Sequence, residues 1–191
     1  MVHISSIVEF VSGTPQFRIV EALNDDAPVY YFYAQYEIEE DLVGLDIKGA
    51  KRKQVKTFDK VSTVSAGDVI FSLLSGKAAI VQAGHSGYLF TQNYVTLVPS
   101  DEIDARYLVY MLNENREIKR QLQSGKQGSA TFKYSIRQLS NLVFPHLPPK
   151  DKQEAIGELY FSQVRLNALR KRASELETIL VLAKIRKADQ S

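Results

Sequence analysis

At 191 residues, 45% of them apolar, the chain has material for one packed domain plus an additional element, and it contains no cysteine. Without thiols there is neither a disulfide framework nor a thiolate zinc site, which removes zinc-finger chemistry and suits a reducing cytoplasm. No window reaches the ~18 apolar residues of a membrane span, and the opening MVHISSIVEFVSG lacks the basic start and apolar core of a secretory leader, so a soluble cytoplasmic protein with no membrane partner is expected.

The net charge of +2 conceals a segregation that becomes visible along the chain. Residues 1–47 set nine acids against Arg18 alone. Within them PVYYFY (28–33) is dense in aromatics that favour pleated backbone and predicts a strand. Residues 48–60 form a first basic island, net +5. The apolar runs 69–74, 78–82 and 94–98 are of strand length, with Gly67-Asp68 and Ser75-Gly76-Lys77 as turns. Asp101 or Asp104 can cap a helix over roughly 104–122, whose apolar face is Leu108, Met111, Leu112, Ile118 and Leu122. Residues 119–148 form a second island, net +5 with no acid. They hold a polar loop with glycines (124–131), a short helix from Ser135 to Leu142 and a strand from Leu142 to Pro145. Pro145, Pro148 and Pro149 then close what is expected to be an α/β (α+β) domain spanning 1–148, with a mixed or antiparallel sheet.

From Asp151 to about Ala188 there is no proline and only Gly157 among strong helix formers, which predicts one helix about 55 Å long in a second segment, 149–191. Its heptads place Leu159, Leu166, Ala173 and Leu180 at one seam position and Ser162, Leu169, Leu176 and Ala183 at the other. A two-stranded coiled coil between copies is the direct reading. The alternative is an amphipathic helix folded back on its own domain.

Motifs for catalysis are poor. Ser75-Gly76-Lys77-Ala78 lacks the first glycine and the magnesium-binding hydroxyl of a phosphate loop. Gly84-His85-Ser86-Gly87 has Tyr88 where a nucleophile elbow needs its second glycine. His3, His85 and His146 show no metal-ligand spacing, and no cofactor loop is present, so no catalytic residue, metal or cofactor is assigned. Asp101, Asp104, Glu117 and Lys119 could imitate the acidic pair and lysine of a magnesium-dependent nuclease. That nuclease is one rival reading, and a coiled-coil assembly protein with no DNA role is another.

Binding to double-stranded DNA is better supplied. Lys48, Lys51, Arg52, Lys53, Lys56 and Lys77, with Lys126 and Lys133 of the second island, can meet phosphates. Gln54, Gln92, Asn93, Gln127, Ser129 and Thr131, with Arg52 again, can reach base edges.

The order of these features resembles the specificity subunits of type I restriction-modification systems. Gly67-Asp68-Val69-Ile70-Phe71-Ser72 looks like that family's strand-opening segment, and Tyr107-Leu108-x-Tyr110-x-Leu112 like the helix after its central strand. Gly128-Ser129 looks like its glycine loop. The most specific element is Leu142-Val143-Phe144-Pro145-His146-Leu147-Pro148-Pro149, followed by Gln153 and Ile156 at the root of the long helix, which resembles the junction between a target-recognition domain and a helical spacer. Lys152 departs from the glutamate usual there, and full-length members carry two recognition domains and two spacers. The resemblance implies a non-catalytic DNA-reading subunit that docks DNA methyltransferase subunits and, in some systems, a restriction subunit. Its half length implies an antiparallel homodimer through Leu159, Leu166, Leu169, Ala173, Leu176, Leu180 and Ala183, reading a split symmetric target.

Overall fold

Strand β5 (Val69–Ser72) is buried along its whole length, and its alternation divides the molecule. Val69 and Phe71 face one apolar core, and Ile70 faces the other. The computed structural model describes residues 1–46, 52–124 and 133–190. Around β5, the strands β2 (Val8–Ser12), β8 (Tyr94–Pro99) and β6 (Ala78–Ile80) complete an antiparallel sheet in the order β2-β8-β5-β6. The register pairs Val69 with Leu97 and with Ile80. A second sheet, of order β4-β3-β7, joins β3 (Val29–Tyr33) antiparallel to β4 (Gln54–Lys56) and parallel to β7 (Leu89–Phe90). A two-stranded pair links β1 (Val2–His3) to β9 (Val143–Phe144). The sheets are thus mixed and antiparallel, as the sequence suggests.

The larger core lies between the four-stranded sheet and the helices α2 (Ala105–Glu114), α3 (Arg116–Ser124) and α4 (Ile136–Ser140), and includes Phe71, Leu97, Leu108, Met111, Ile118, Leu139 and Phe144. The smaller core joins Ile70, Ala79 and Tyr94 to Tyr33, Val64, Phe90 and Ile38, the last on α1 (Gln35–Val43). Asp104 caps α2 by accepting from Tyr107 N at 2.9 Å. The single helix expected over 104–122 is instead two. Asn115 takes extended backbone, ψ 122°, and its Oδ1 accepts from Glu117 N and Ile118 N at 3.0 and 3.2 Å. An asparagine amide that caps the next helix ends the preceding one. Asn113 is buried and bonds both backbone groups of Ala78 on β6, accepting from its N–H at 2.8 Å and donating to its carbonyl at 2.9 Å.

The long helix α5 runs unbroken over Lys150–Asp189. Its root is fastened to the rest of the molecule by two small features. Gln153, 2% exposed, accepts from Asp104 N at 2.9 Å and donates to the carbonyls of Glu102 and Pro148 at 3.1 and 2.9 Å. Gly157 lies so close to α2 that a Cβ there would stand 2.6 Å from Arg106 Cβ and 2.9 Å from Tyr107 N. Ile156, Tyr160 and Phe161 pack on the larger core, and the Tyr160 hydroxyl accepts from Asn113 at 3.1 Å. From Leu169 to Gln190 every residue is exposed. The leucine seam is not folded back on the molecule: Leu159, Leu166, Leu169, Leu176 and Leu180 are 71, 41, 44, 57 and 55% exposed. At 3.6 residues per turn the seam lies on roughly the opposite side of the helix from Gln153, Gly157 and Tyr160. Among the described residues no helix is long and apolar enough to cross a membrane.

Candidate nucleic-acid interface

The β3–α1 junction and the Thr91–Tyr94 turn face each other across a cleft of about 470 Å³. Its lining includes Gln16, Phe32, Tyr36, Glu37, Arg52, Lys53, Leu74 and Asn93. Backbone bonds build the cleft. Phe32 N donates to Lys53 O at 2.9 Å, which carries the first basic island along β3, and Leu73 N donates to Asn93 O at 2.9 Å, which fixes the opposite lip. Tyr134 N donates to Leu73 O at 2.8 Å and its ring covers Gly76, where φ is +72°. That docks residues of the second island on the same lip. Lys133 Nζ then donates to Asn93 Oδ1 at 2.7 Å. Residues from both islands, 80 positions apart in sequence, therefore meet at one opening.

The two neighbours Arg52 and Lys53 play different parts. Arg52 donates to Glu40 Oε2 at 3.0 Å and to the Tyr88 hydroxyl at 2.8 Å, and lies 3.6 Å from Asp46. Burial opposes its charge, but Tyr88 and Glu40 outweigh that and hold the guanidinium above its ordinary range. It is a pin that fastens the first island to α1. Lys53 is exposed, with its ammonium 5.4 Å above the Phe32 ring.

The other expected contacts are scattered. Lys56 is ion-paired with Asp25 at 2.7 Å and Lys77 with Glu39 at 3.5 Å, and neither lines this cleft. Gln54 is exposed on β4, and Gln92 is exposed beside Asn93. Lys48, Lys51, Lys126, Gln127, Ser129 and Thr131 lie outside the described residues.

Sequence reasoning missed the acids of α1, of which Glu37 lines this cleft. Glu37, Glu40 and Asp41 of α1 are buried acids at 3, 3 and 1% exposure. His85 stands between two of them, Nδ1 2.7 Å from Asp41 Oδ1 and Nε2 3.1 Å from Glu40 Oε2. The Tyr33 hydroxyl donates to the other Asp41 oxygen at 2.7 Å. Carboxylates only accept, so an imidazole that satisfies both needs two N–H groups. Burial works against that charge, but the hydrogen bond and charge of Asp41, joined by Glu40, raise the His85 pKa. Burial and then the Asp41 charge also push the Tyr33 hydroxyl upward. Burial and then the charge of Glu37 push Tyr94 up to about 12, against the opposing Ser72 hydrogen bond. The Gly84-His85-Ser86-Gly87 segment is the end of a short 3-10 turn (Ala83–His85) and its exit, and His85 there carries this charge network. The only signal in the sequence was an excess of acid that looked like solvated surface.

The residues of the nuclease alternative are committed separately. Asp104 caps α2, Glu117 pairs with Arg120 at 2.9 Å and Lys119 pairs with Glu114 at 3.0 Å. No group of histidine and acidic residues suited to a metal occurs among the described residues.

No family model matches the chain, and no curated protein matches it. Solved structures do. The chain is similar to the HsdS subunit from Thermoanaerobacter tengcongensis, with 20% identity over 90% of this chain and a TM-score of 0.55. It is also similar to a chain from a structure describing complex assembly and conformational transition of the type I R-M system, with 18% identity over 98% and a TM-score of 0.62. The chain spans about two-fifths of those chains, 39 and 43%. What it shares with them at this identity is the fold.

Proposed function

We propose that this chain is the DNA-reading, non-catalytic specificity subunit of a type I restriction-modification system, in a form with one target-recognition domain and one spacer helix. The observation that carries the reading is the meeting of both basic islands at one cleft, with Lys53 and Lys133 on opposite lips, on a fold shared with an HsdS chain. The lysines would supply affinity for phosphates, while Asn93 and Gln92 would supply base choice. Two copies pairing the leucine seams of α5 antiparallel would set two readers apart by one to two duplex turns, since a helix of this length spans on the order of 60 Å. Such a twofold assembly reads a split, inverted-repeat target and docks methyltransferase subunits and, where present, a restriction subunit. The recognition domain would be 1–148 and the spacer 149–191, in the cytoplasm where the DNA is.

Co-expression with candidate methyltransferase subunits, followed by methylation mapping of the host DNA, tests this directly. Symmetric split sites are expected, and unchanged methylation overturns the assignment. Purified chain should be retained on duplex DNA in a salt-dependent way, and Lys53→Glu with Lys133→Glu should weaken retention for all sequences alike. Magnesium-dependent cleavage by the chain alone would restore the nuclease reading.

A further inference from the structure

The apolar stretch near the end of α5 is wider than a two-stranded seam can use. Leu180 and Ala183 belong to the seam, yet Ile179, Val181, Leu182 and Ile185 are apolar too and 62, 53, 47 and 58% exposed. Ile179 stands at a flanking position where charge is usual, at whole heptads from Glu158, Arg165 and Arg186, so all four share one side of the seam. Leu182, three residues on from Ile179, extends that side outward. At the root of the helix the same side borders a groove of about 720 Å³. Glu158, Phe161 and Arg165 form one wall, and Leu42 and Val43 of α1 with Ile80 of β6 form the other. Leu42, Val43, Ile80 and Phe161 are only partly buried, so the single chain leaves this apolar lining open to water. Arg165 leans over the end of α1, its Nη1 3.8 Å from a Cβ placed on Gly44, which directs its charge to the carbonyl end of that helix.

We propose that this groove receives Ile179 and Leu182 of a second copy, so that the tip of each α5 braces the body of its partner. The inference rests on the antiparallel pairing proposed above and deepens it, because the register decides what meets the groove. Only one antiparallel register fills every seam position. It sets Leu159 against the partner's Ala183, Leu166 against the partner's Leu176, Ala173 against the partner's Leu169 and Ser162 against the partner's Leu180. Like flanks of the two helices then face each other, which brings the partner's Ile179 beside Arg165 and the partner's Arg186 beside Glu158. The first contact puts an isoleucine at the mouth of the groove, and the second joins opposite charges. Twofold symmetry repeats both contacts at the other end. Helix α1 lines the groove with its last turn and the cleft with its first, so the brace bears on the helix that shapes the reader.

The chain has no cysteine, so introduced pairs report contacts directly. In the full chain, Val43→Cys with Leu182→Cys should give a disulfide-linked dimer on mild oxidation. Within one chain that pair cannot meet, because Leu182 lies roughly 30 Å beyond Phe161 along α5. Leu166→Cys with Leu176→Cys reports the seam alone. In sedimentation, Ile179→Gln with Leu182→Gln should weaken dimerisation by about tenfold or more, as expected for two side chains returned to water. Val181→Gln with Ile185→Gln, on the far side of the same turns, should change it by less than about twofold. A seam bridge with neither a groove bridge nor a side-specific loss overturns the docking and leaves the pairing standing. A chain that stays monomeric and forms neither bridge overturns the pairing and the docking with it. If Ile179→Gln with Leu182→Gln leaves the dimer intact but weakens retention of a co-expressed methyltransferase subunit, that subunit fills the groove and the proposal is overturned.

Discussion

The globular body and the outer half of α5 solve opposite problems with the same chain. In the body every buried side-chain nitrogen and oxygen among the described residues has a partner, and even Glu40 and Asp41 of α1 are absorbed into a network with His85 and Arg52. Beyond Leu169 nothing is covered, and Leu176, Ile179, Leu180, Val181, Leu182 and Ile185 are 47 to 62% exposed. Apolar patches of this kind mark association surfaces. The body owes its order to tertiary contact, whereas the outer helix has propensity and its own backbone bonds until another surface meets it. The boundary between the two regimes is the root of α5, where Gln153 and Gly157 are held.

Disturbing that root should produce the largest effect. Gly157→Val drives a side chain into the α2 backbone, and the body should lose about 3 kcal/mol or more, read as a lower midpoint in chemical unfolding. Gln153→Ala removes three hydrogen bonds at once and strands Asp104 N and two carbonyls. A loss of about 2 kcal/mol is expected, and a value near zero would show that water replaces the amide without penalty. The charge network sharpens the contrast through pH. The folded pKa of His85 is raised, so its stabilisation is fully present below about 6.5, its ordinary value, and is lost as pH climbs through the folded value. Unfolding of the natural protein followed across that window should show falling stability, and His85→Gln should flatten the slope. Self-association through the seam, which contains no histidine, should not follow the same curve. The smallest effect on the body should come from Leu169→Asp with Leu176→Asp. Its unfolding free energy should change by no more than about 0.5 kcal/mol, while light scattering should report half the mass found for the natural protein. An unchanged mass would separate the seam from assembly.

The parts that could be read from the sequence are those with a strong period or a strong composition. Strands β5, β6 and β8 announced themselves as short apolar runs, and α5 as a long run of helix formers with no proline and only Gly157. Helix α1 was invisible because QYEIEEDLV offers only Tyr36, Ile38, Leu42 and Val43 as apolar residues, and because its buried acids count as surface until His85, 44 positions from Asp41, is known to lie beside them. The break at Asn115 was missed for the complementary reason: the apolar spacing runs straight through it, and only the amide's capping bonds show that two helices share the pattern. Both basic islands were plain in the charge count. Their convergence was not, since it depends on Tyr134 docking on the Leu73 backbone and on Lys133 reaching Asn93. Charge identifies the kind of ligand, while long-range backbone pairing decides which charges act together.

Asn113 makes the outer side of β6 safe. A strand at the margin of a sheet shows unpaired donors and acceptors that another chain can copy, and the asparagine amide stands in for a neighbouring strand by answering both groups of Ala78 with one side chain. Replacing it by leucine would keep the volume and leave that margin bare. The expected penalty is therefore twofold, a weaker core and a new tendency to aggregate edge to edge.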